Sequence, residues 1–216
     1  MNDVPPGERM RQTLARQRAA QRAEGVPDHR TRIDRLERLA MLLRENEAAL
    51  CESLQADFGQ RSLSNAAMTE IAYPISAIRY AQKHLRAWMK DEPRKVALLP
   101  RLLGARARVR HQPLGVIGVI SPWNFPVNLA VAPLTDILAA GNRAMVKPSE
   151  HTPRNSALLA ELVARYFSDE EVAVFPGGLE AGEAFARLPF DHLVFTGAGS
   201  IARHVARAAS ENLVPL

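Results

Sequence analysis

The stretch that decides the fold is VIGVISPWNFP, residues 116–126, together with the apolar segment that continues to residue 134. Its first five residues are apolar apart from Gly118, and an unbroken apolar run is typical of a strand covered on both faces. The run stops at Ser121 and Pro122, and apolar residues then resume over a length too great for a strand. We therefore predict a buried strand, a tight turn and a helix.

Asn124 lies in this turn, at the carboxyl end of the predicted strand. Open α/β sheets bind their ligands at that end, which favours a functional role for its side chain. Asparagine also tolerates turn geometry well, so a simple turn residue is the alternative interpretation. The turn alone leaves both open.

The alternation of strands and helices continues to the end of the sequence. The pattern predicts strands at residues 116–120, 144–146, 172–175 and 193–195, each followed by a helix: 127–140, one starting near 153, a short one ending at 187, and 199–209. Four strand–helix units in sequence predict an α/β fold with a doubly wound, Rossmann-like parallel sheet.

The first 90 residues have helical periodicity instead. We predict a helix over residues 8–24, a second ending near residues 57–59, and a third over 65–90 that Pro74 interrupts. Asp28 or Thr31 is the expected N-cap of the second helix. Residues 93–112 mix basic and apolar side chains and predict a strand or hairpin with a charged edge.

The composition excludes several classes of protein. With 47% hydrophobic and 24% charged residues among 216, the chain has an ordinary soluble composition, long enough for one large or two small domains. No run approaches the roughly 20 apolar residues of a membrane span, and the first residues lack the apolar core of a secretory signal. We expect a cytoplasmic protein without membrane contact.

The single cysteine and the basic charge have ordinary explanations. Cys51 allows no intramolecular disulfide and no cysteine-based metal cluster, and it lies within a helical pattern as a small packing residue; no metal site is predicted. The net charge of +5 comes with arginines near the start, but no aromatic residue precedes Phe58. Because single-stranded nucleic acids are bound by stacking as well as charge, a nucleic-acid partner is not expected.

Polar residues also follow the later strands. Lys147 can reach ribose hydroxyls or phosphate oxygens, and Glu150 can accept hydrogen bonds from a ribose diol. The alternative is a pair at the start of a helix that Ser149 or Thr152 caps. Gly177 and Gly178 allow a close backbone approach but are also an ordinary turn. Residues 195–200 open the last helix, whose amino-terminal amides suit a pyrophosphate.

The segment GVISPWNFPVNLAVAPLTDILAAGNRAMVKPSE resembles the signature of the NAD(P)-dependent aldehyde dehydrogenase family, and the similarity continues through FPGG and FTGAGSIARHV. The DFGQRS wording at residues 57–62 is most similar to the coniferyl aldehyde or class 3 branch. The resemblance implies the first part of that fold, with helices and an edge segment at 1–112, cofactor-binding units at 113–216, and no catalytic domain.

The resemblance also assigns roles to individual residues. Asn124 would donate its side-chain amide to the oxyanion formed when a thiolate attacks an aldehyde, and such a donor is worth about 3–4 kcal/mol in transition-state stabilisation. The cofactor would be NAD, which the acidic Glu150 favours, with NADP as the alternative. The residues expected to bind it are Ile120, Ser121, Pro122, Trp123, Lys147, Ser149, Glu150, Gly177, Gly178, Thr196, Gly197, Ala198 and Ile201.

The sequence departs from the family in its last motif. The family normally has Ser or Asn at the position of Ala198, Thr at Gly199, and Gly at Ala202. Ala198 removes a side-chain donor from the phosphate loop, and Ala202 adds a methyl group where the family keeps glycine for close approach.

Two catalytic groups of the family are not in these 216 residues: the cysteine nucleophile and the glutamate base of an ELGGK segment. We therefore expect the chain alone to be inactive, whereas the full enzyme would oxidise an aldehyde to a carboxylic acid as a homodimer or homotetramer. The alternatives are a dinucleotide-binding module without turnover and a degenerate remnant. Residues 93–112 would help to form the family's oligomerisation sheet.

Overall fold

The computed structural model describes residues 5–216, and the first four residues of the predicted amino-terminal segment lie outside that range. In chain order the elements are α1 (Pro6–Glu24), α2 (His29–Glu45), α3 (Glu47–Phe58), α4 (Leu63–Ala66), a π-helical segment (Ala67–Ala72), α5 (Tyr73–Trp88), β1 (Glu92–Arg94), α6 (Leu98–Leu102), β2 (Ala107–Val109), β3 (Val116–Ile120), α7 (Asn128–Ala139), β4 (Arg143–Lys147), α8 (Pro153–Tyr166), β5 (Val172–Val174), α9 (Leu179–Ala186), β6 (His192–Phe195) and α10 (Gly199–Ser210).

A four-stranded parallel sheet in the order β5-β4-β3-β6 forms the centre of the fold. Strands β3 and β4 lie in the middle, and nearly all of their residues are buried, as the unbroken apolar run of β3 predicted. The predicted α/β architecture with a parallel sheet is confirmed, and its strand positions agree with the prediction to within one or two residues.

Alternate residues of each strand contribute to two separate cores. Ile117 and Val119 face a core made largely with α2, α3, α5, α7 and α8. Val116 and Met145 face the opposite core, to which α1, α9 and α10 contribute. Helices therefore cover both faces of the sheet, and the amino-terminal helices supply part of each cover.

The prediction of one long second helix is wrong, because the chain breaks at Asn46 into α2 and α3. Asn46 has φ −122° and ψ 19°, and its side-chain amide donates to the carbonyl oxygen of Leu42 at 2.8 Å. A polar side chain that bonds to nearby backbone competes with the helical ladder. Asp28 caps α2 as predicted and accepts from the Thr31 amide at 2.8 Å.

The predicted interruption near Pro74 takes the form of a π-helical segment, Ala67–Ala72, directly before α5. Proline has no amide hydrogen and fits the first turn of a helix, so the irregular hydrogen bonding falls on the residues before it. The chain nevertheless remains helical from residue 63 to residue 88. This segment places Glu70 in the interior.

The predicted hairpin region contains two short antiparallel strands, β1 and β2, separated by α6. Its leucines are exposed, and charged side chains also pair just outside the strands, as in the bond from Arg110 to Asp91 at 2.7 Å. None of the helices in residues 5–216 is both long and apolar enough to cross a membrane. The same residues hold no group of three or more His, Cys, Asp or Glu side chains arranged for a metal ion.

Cys51 lies on the buried face of α3, and burial raises the pKa of its thiol. This agrees with its predicted role as a packing residue.

Candidate functional site

The carboxyl ends of the four parallel strands meet at one edge of the sheet. Ile120 lies beside Lys147 on one side and Phe195 on the other. Backbone hydrogen bonds join the loops just beyond the strands, from Ser121 to Lys147 at 3.2 Å and from Thr196 to Ile120 at 3.1 Å. The structure therefore brings the loops that carry the predicted site residues to a single edge.

The turn after β3 presents its polar and aromatic side chains to solvent. Asn124 is exposed, and Trp123 is 52% exposed although its ring lies 6.2 Å from that of Phe58. Ile120 and Pro122 are partly buried at the base of the turn. An exposed side-chain amide at this edge is available to an incoming oxygen atom.

The loop after β4 contains a buried ammonium group. Lys147 is only 3% exposed; its Nζ donates to the carbonyl oxygen of Pro148 at 2.6 Å and lies 3.7 Å from Oε2 of Glu150. Burial lowers the pKa of Lys147, and the charge of Glu150 opposes that shift. The carboxylate of Glu150 is partly exposed, so this pair can face a ligand with hydroxyl groups.

Ser121 and Ser149 differ in how their hydroxyl groups are satisfied. The Oγ of Ser121 is buried without a hydrogen-bond partner, whereas that of Ser149 accepts from the His151 amide at 3.2 Å. Buried polar groups are normally paired, so the unpaired Ser121 hydroxyl is a candidate contact for a ligand at this edge.

The turn after β5 needs its first glycine for conformational reasons. Gly177 has φ +147°, and a Cβ atom there would lie 2.8 Å from the Cβ of Ala181. Gly178 has no neighbouring heavy atom within 4 Å of the same position. The turn therefore leaves open space beside its second glycine.

The loop after β6 leads to the amino terminus of α10. Gly197, Ala198 and Ile201 are exposed, and Thr196 is partly buried. Ala198 occupies the N-cap position with ψ 141° and offers no capping side chain. The first amides of a twelve-residue helix thus face the same edge as Lys147 and Asn124.

The alternative interpretation, in which the side chain of Ser149 or Thr152 caps the next helix, is wrong. Asp57, at the end of α3, accepts from the backbone amides of Arg154 and Asn155 at 3.2 and 2.9 Å. Thr152 is at the N-cap but makes no capping bond, and its Oγ1 is buried without a partner. The cap is supplied by a residue almost one hundred positions earlier in the chain.

Two further residues of the site were not predicted. Arg61 donates to the carbonyl oxygen of Asn124 at 3.0 Å, and its Nη2 lies 2.6 Å from Oε1 of Glu70. The DFGQRS segment that contains Asp57 and Arg61 resembles the family, but its wording carries no sign of these contacts. Glu70 has no recognisable motif, because a single glutamate in a helical pattern gives no sign of burial.

Comparison with known proteins identifies the family to which the chain belongs. The sequence matches the aldehyde dehydrogenase family over residues 6–216, and the chain belongs to that family. The predicted family resemblance is thereby confirmed.

The more similar relatives include coniferyl aldehyde dehydrogenases. The chain is 52% identical over 209 residues to a probable coniferyl aldehyde dehydrogenase of Caulobacter vibrioides, covering 96% of this chain and 43% of that protein. It is 47% identical over 217 residues to the coniferyl aldehyde dehydrogenase of a Pseudomonas species, covering 100% of this chain and 44% of the other. The chain thus spans less than half the length of these relatives.

Solved structures agree with this assignment. The substrate-bound state of Staphylococcus aureus AldH superimposes with a TM-score of 0.90 at 31% identity, over 95% of this chain and 44% of that one. A structure of PnpE in complex with nicotinamide adenine dinucleotide gives a TM-score of 0.80 at 26% identity, over 94% of this chain and 41% of the other. The described fold is thus a part of the aldehyde dehydrogenase fold.

Proposed function

We propose that this chain is the cofactor-binding part of an aldehyde dehydrogenase that oxidises an aldehyde to a carboxylic acid with NAD. The observation that carries the proposal is the convergence of Asn124, Lys147 and the amino terminus of α10 at one sheet edge. Residues 113–216 form the cofactor-binding units, and residues 1–112 are the supporting helices and the edge segment.

The residues at the edge fit a dinucleotide. Lys147 and Glu150 suit the ribose hydroxyls, the open space at Gly178 admits a flat ring, and the amides of α10 suit a pyrophosphate. Ile120, Ser121, Pro122 and Trp123 line the loop after β3, and Ser149, Gly177, Thr196, Gly197, Ala198 and Ile201 complete the proposed set. When bound, NAD accepts a hydride from the substrate.

Asn124 is the residue of this chain that we assign to the chemical step. Its exposed amide donates to the negative charge that develops on the aldehyde oxygen during nucleophilic attack. Because no cysteine is placed at this edge in residues 5–216, we propose that the chain by itself does not turn over aldehydes.

The substrate class follows from the relatives. Because proteins 47–52% identical to this chain carry the name coniferyl aldehyde dehydrogenase, we propose an aromatic aldehyde as the substrate of the whole protein. We further propose a cytoplasmic location and a homodimer or homotetramer, with the exposed β1–β2 region contributing to the contact.

The experiment is a calorimetric titration of the purified chain with NAD and, separately, with NADP. We expect saturable NAD binding that Lys147→Met weakens at least tenfold, because the substitution keeps the apolar stem and removes the ammonium group. NADP should bind more weakly than NAD, since Glu150 repels the 2′-phosphate.

The matched control is Lys83→Met, which removes an exposed ammonium from α5, a helix that carries none of the residues proposed for the cofactor. The control should bind NAD as the unsubstituted chain does. Equal weakening by both variants, or no binding by the folded chain, contradicts the proposal. A folded chain that does not bind NAD would favour a degenerate remnant. NAD binding, with no catalytic domain encoded downstream, would favour a cofactor-binding module.

A further inference from the structure

The turn that carries Asn124 is held by side chains distant in sequence. Glu70 lies in the π-helical segment, is fully buried, and accepts from the amides of Val127 and Asn128 at 3.1 and 2.8 Å through one carboxylate oxygen. These amides start α7, so the carboxylate occupies the place of a helix cap.

Arg61 joins this carboxylate to the turn itself. Its Nη2 lies 2.6 Å from the second oxygen of Glu70, and its Nη1 donates to the carbonyl oxygen of Asn124 at 3.0 Å. The side chain of Arg61 is itself only 13% exposed. A planar guanidinium can make both contacts at once in a fixed geometry, which an ammonium group cannot reproduce.

Aromatic rings fix the position of the guanidinium. Its central carbon lies 4.9 Å from the centroid of the Phe58 ring and 5.2 Å from that of Phe125. Phe58 also contacts Trp123 across 6.2 Å. Phe125, which follows Asn124, therefore packs against the same side chain that binds the Asn124 carbonyl oxygen, and Trp123, which precedes Asn124, packs against Phe58.

We infer that Arg61 and Glu70 are positioning residues that hold the backbone of the Asn124 turn and so aim its side-chain amide. They act through the carbonyl oxygen of Asn124 and the first amides of α7. The contacts are observed in the structure, but their consequence for catalysis rests on the proposed role of Asn124 as an oxyanion donor.

The same short segment supports the neighbouring loop by a separate contact. Asp57 caps α8, which follows the loop of Lys147 and Glu150, and it lies four residues before Arg61. Asp57 and Arg61 thus hold two different loops of one site. A substitution of Asp57 should affect the start of α8, and a substitution of Arg61 should affect the Asn124 turn. Each substitution is therefore a control for the other.

The test is hydrogen–deuterium exchange of the full 216-residue chain, read by mass spectrometry without ligand. Arg61→Met and Glu70→Gln should speed exchange in peptides covering residues 122–128 about tenfold or more, the change expected when a charge-assisted hydrogen bond is lost from a local opening equilibrium. Peptides of β5 should be unchanged. Asp57→Asn should speed exchange near residues 153–156 and leave 122–128 unchanged.

Arg61→Lys distinguishes positioning from simple charge neutralisation. It keeps the positive charge beside Glu70 and should keep the melting temperature close to that of the unsubstituted chain, but it should not restore protection of residues 122–128. In a Trp88→Phe background, where Trp123 is the remaining tryptophan, acrylamide should quench its fluorescence more strongly in Arg61→Lys. This variant serves as the main test if Arg61→Met does not fold.

Unchanged exchange in residues 122–128, a uniform rise in all peptides, or complete recovery in Arg61→Lys would overturn the inference. These measurements use no cofactor, so they are independent of the NAD titration. If the unsubstituted chain does not bind NAD but its turn is protected from exchange, only the proposed function is refuted. If the chain binds NAD and Arg61→Met leaves exchange in residues 122–128 unchanged, only the positioning role is refuted.

Discussion

The backbone amide of Ser121 donates to the carbonyl oxygen of Lys147 at 3.2 Å, so the turn bearing Asn124 and the loop bearing the buried ammonium are joined directly. This bond continues the parallel ladder between β3 and β4 by one residue beyond the strands. The proposed oxyanion donor and the proposed ribose contact therefore share one rigid base.

The first prediction concerns the turn after β5. Gly177→Ala should destabilise the chain by about 1–3 kcal/mol, because the added Cβ meets Ala181 at 2.8 Å and alanine is strained at φ +147°. Urea unfolding followed by circular dichroism measures the change.

Gly178→Ala is the matched control for that substitution. Its φ is −79° and its new methyl group meets no heavy atom within 4 Å, so the cost should be only about 0.5 kcal/mol, from the poorer N-cap that alanine makes at the start of α9 less the lower entropy of its unfolded chain. Because the same space is proposed for the cofactor, this variant should lose NAD affinity although it is destabilised less than Gly177→Ala. Equal destabilisation at the two glycines would contradict the prediction.

The second prediction concerns the start of α10. Ala198→Ser supplies a side-chain oxygen at an N-cap position whose ψ of 141° suits capping, and should stabilise the chain by about 0.5–1 kcal/mol. The added hydroxyl should also tighten NAD binding. Thermal unfolding and calorimetric titration check the two effects separately.

Ala206→Ser provides the comparison, since residue 206 is exposed in the interior of the same helix. Serine there offers no cap and should lower the stability slightly, by about 0.5 kcal/mol. If both serines have the same effect, the N-cap explanation fails.

The third prediction concerns the buried charges between α2 and the start of β5. Burial by itself raises the pKa of Glu171, but hydrogen bonds and the charges of Arg38 and then Arg35 lower it from 4.5 to about 2. Because the pKa is lower in the folded chain, this carboxylate contributes stability that is fully present above about pH 4.5. That contribution, up to roughly 3 kcal/mol, is lost as the pH falls towards 2.

Glu171→Gln should therefore be less stable than the unsubstituted chain at pH 7, and the difference should shrink as the pH falls below 4.5. Unfolding by urea at pH 7, 4.5 and 3 tests this. Glu180→Gln, which changes an exposed glutamate on α9, should show little difference at any of these values. A Glu171→Gln deficit that stays constant with pH would show that packing, not charge, is responsible.

Local patterns predicted the central strands and helices well because their signals lie within a few consecutive residues. The apolar run of β3 identifies a buried strand, and Asp28 identifies the start of α2, which the structure confirms. The periodic pattern did not predict the break at Asn46, whose side-chain amide donates both to the nearby carbonyl oxygen of Leu42 and to the distant hydroxyl of Tyr166.

The sequence by itself determined the family, the strand–helix order and the residues proposed for the cofactor, because the signal for each lies in short contiguous segments. Only the tertiary structure decided how the loops of the site are held. Arg61 and Asn124 are 63 positions apart, Glu70 and Val127 are 57 apart, and Asp57 and Arg154 are 97 apart. A periodic pattern describes which face of an element is apolar, but it does not specify which distant polar groups meet. Their pairing depends on the packing of α3, the π-helical segment and α7, because buried backbone amides and charges are stable only where that packing brings partners to them.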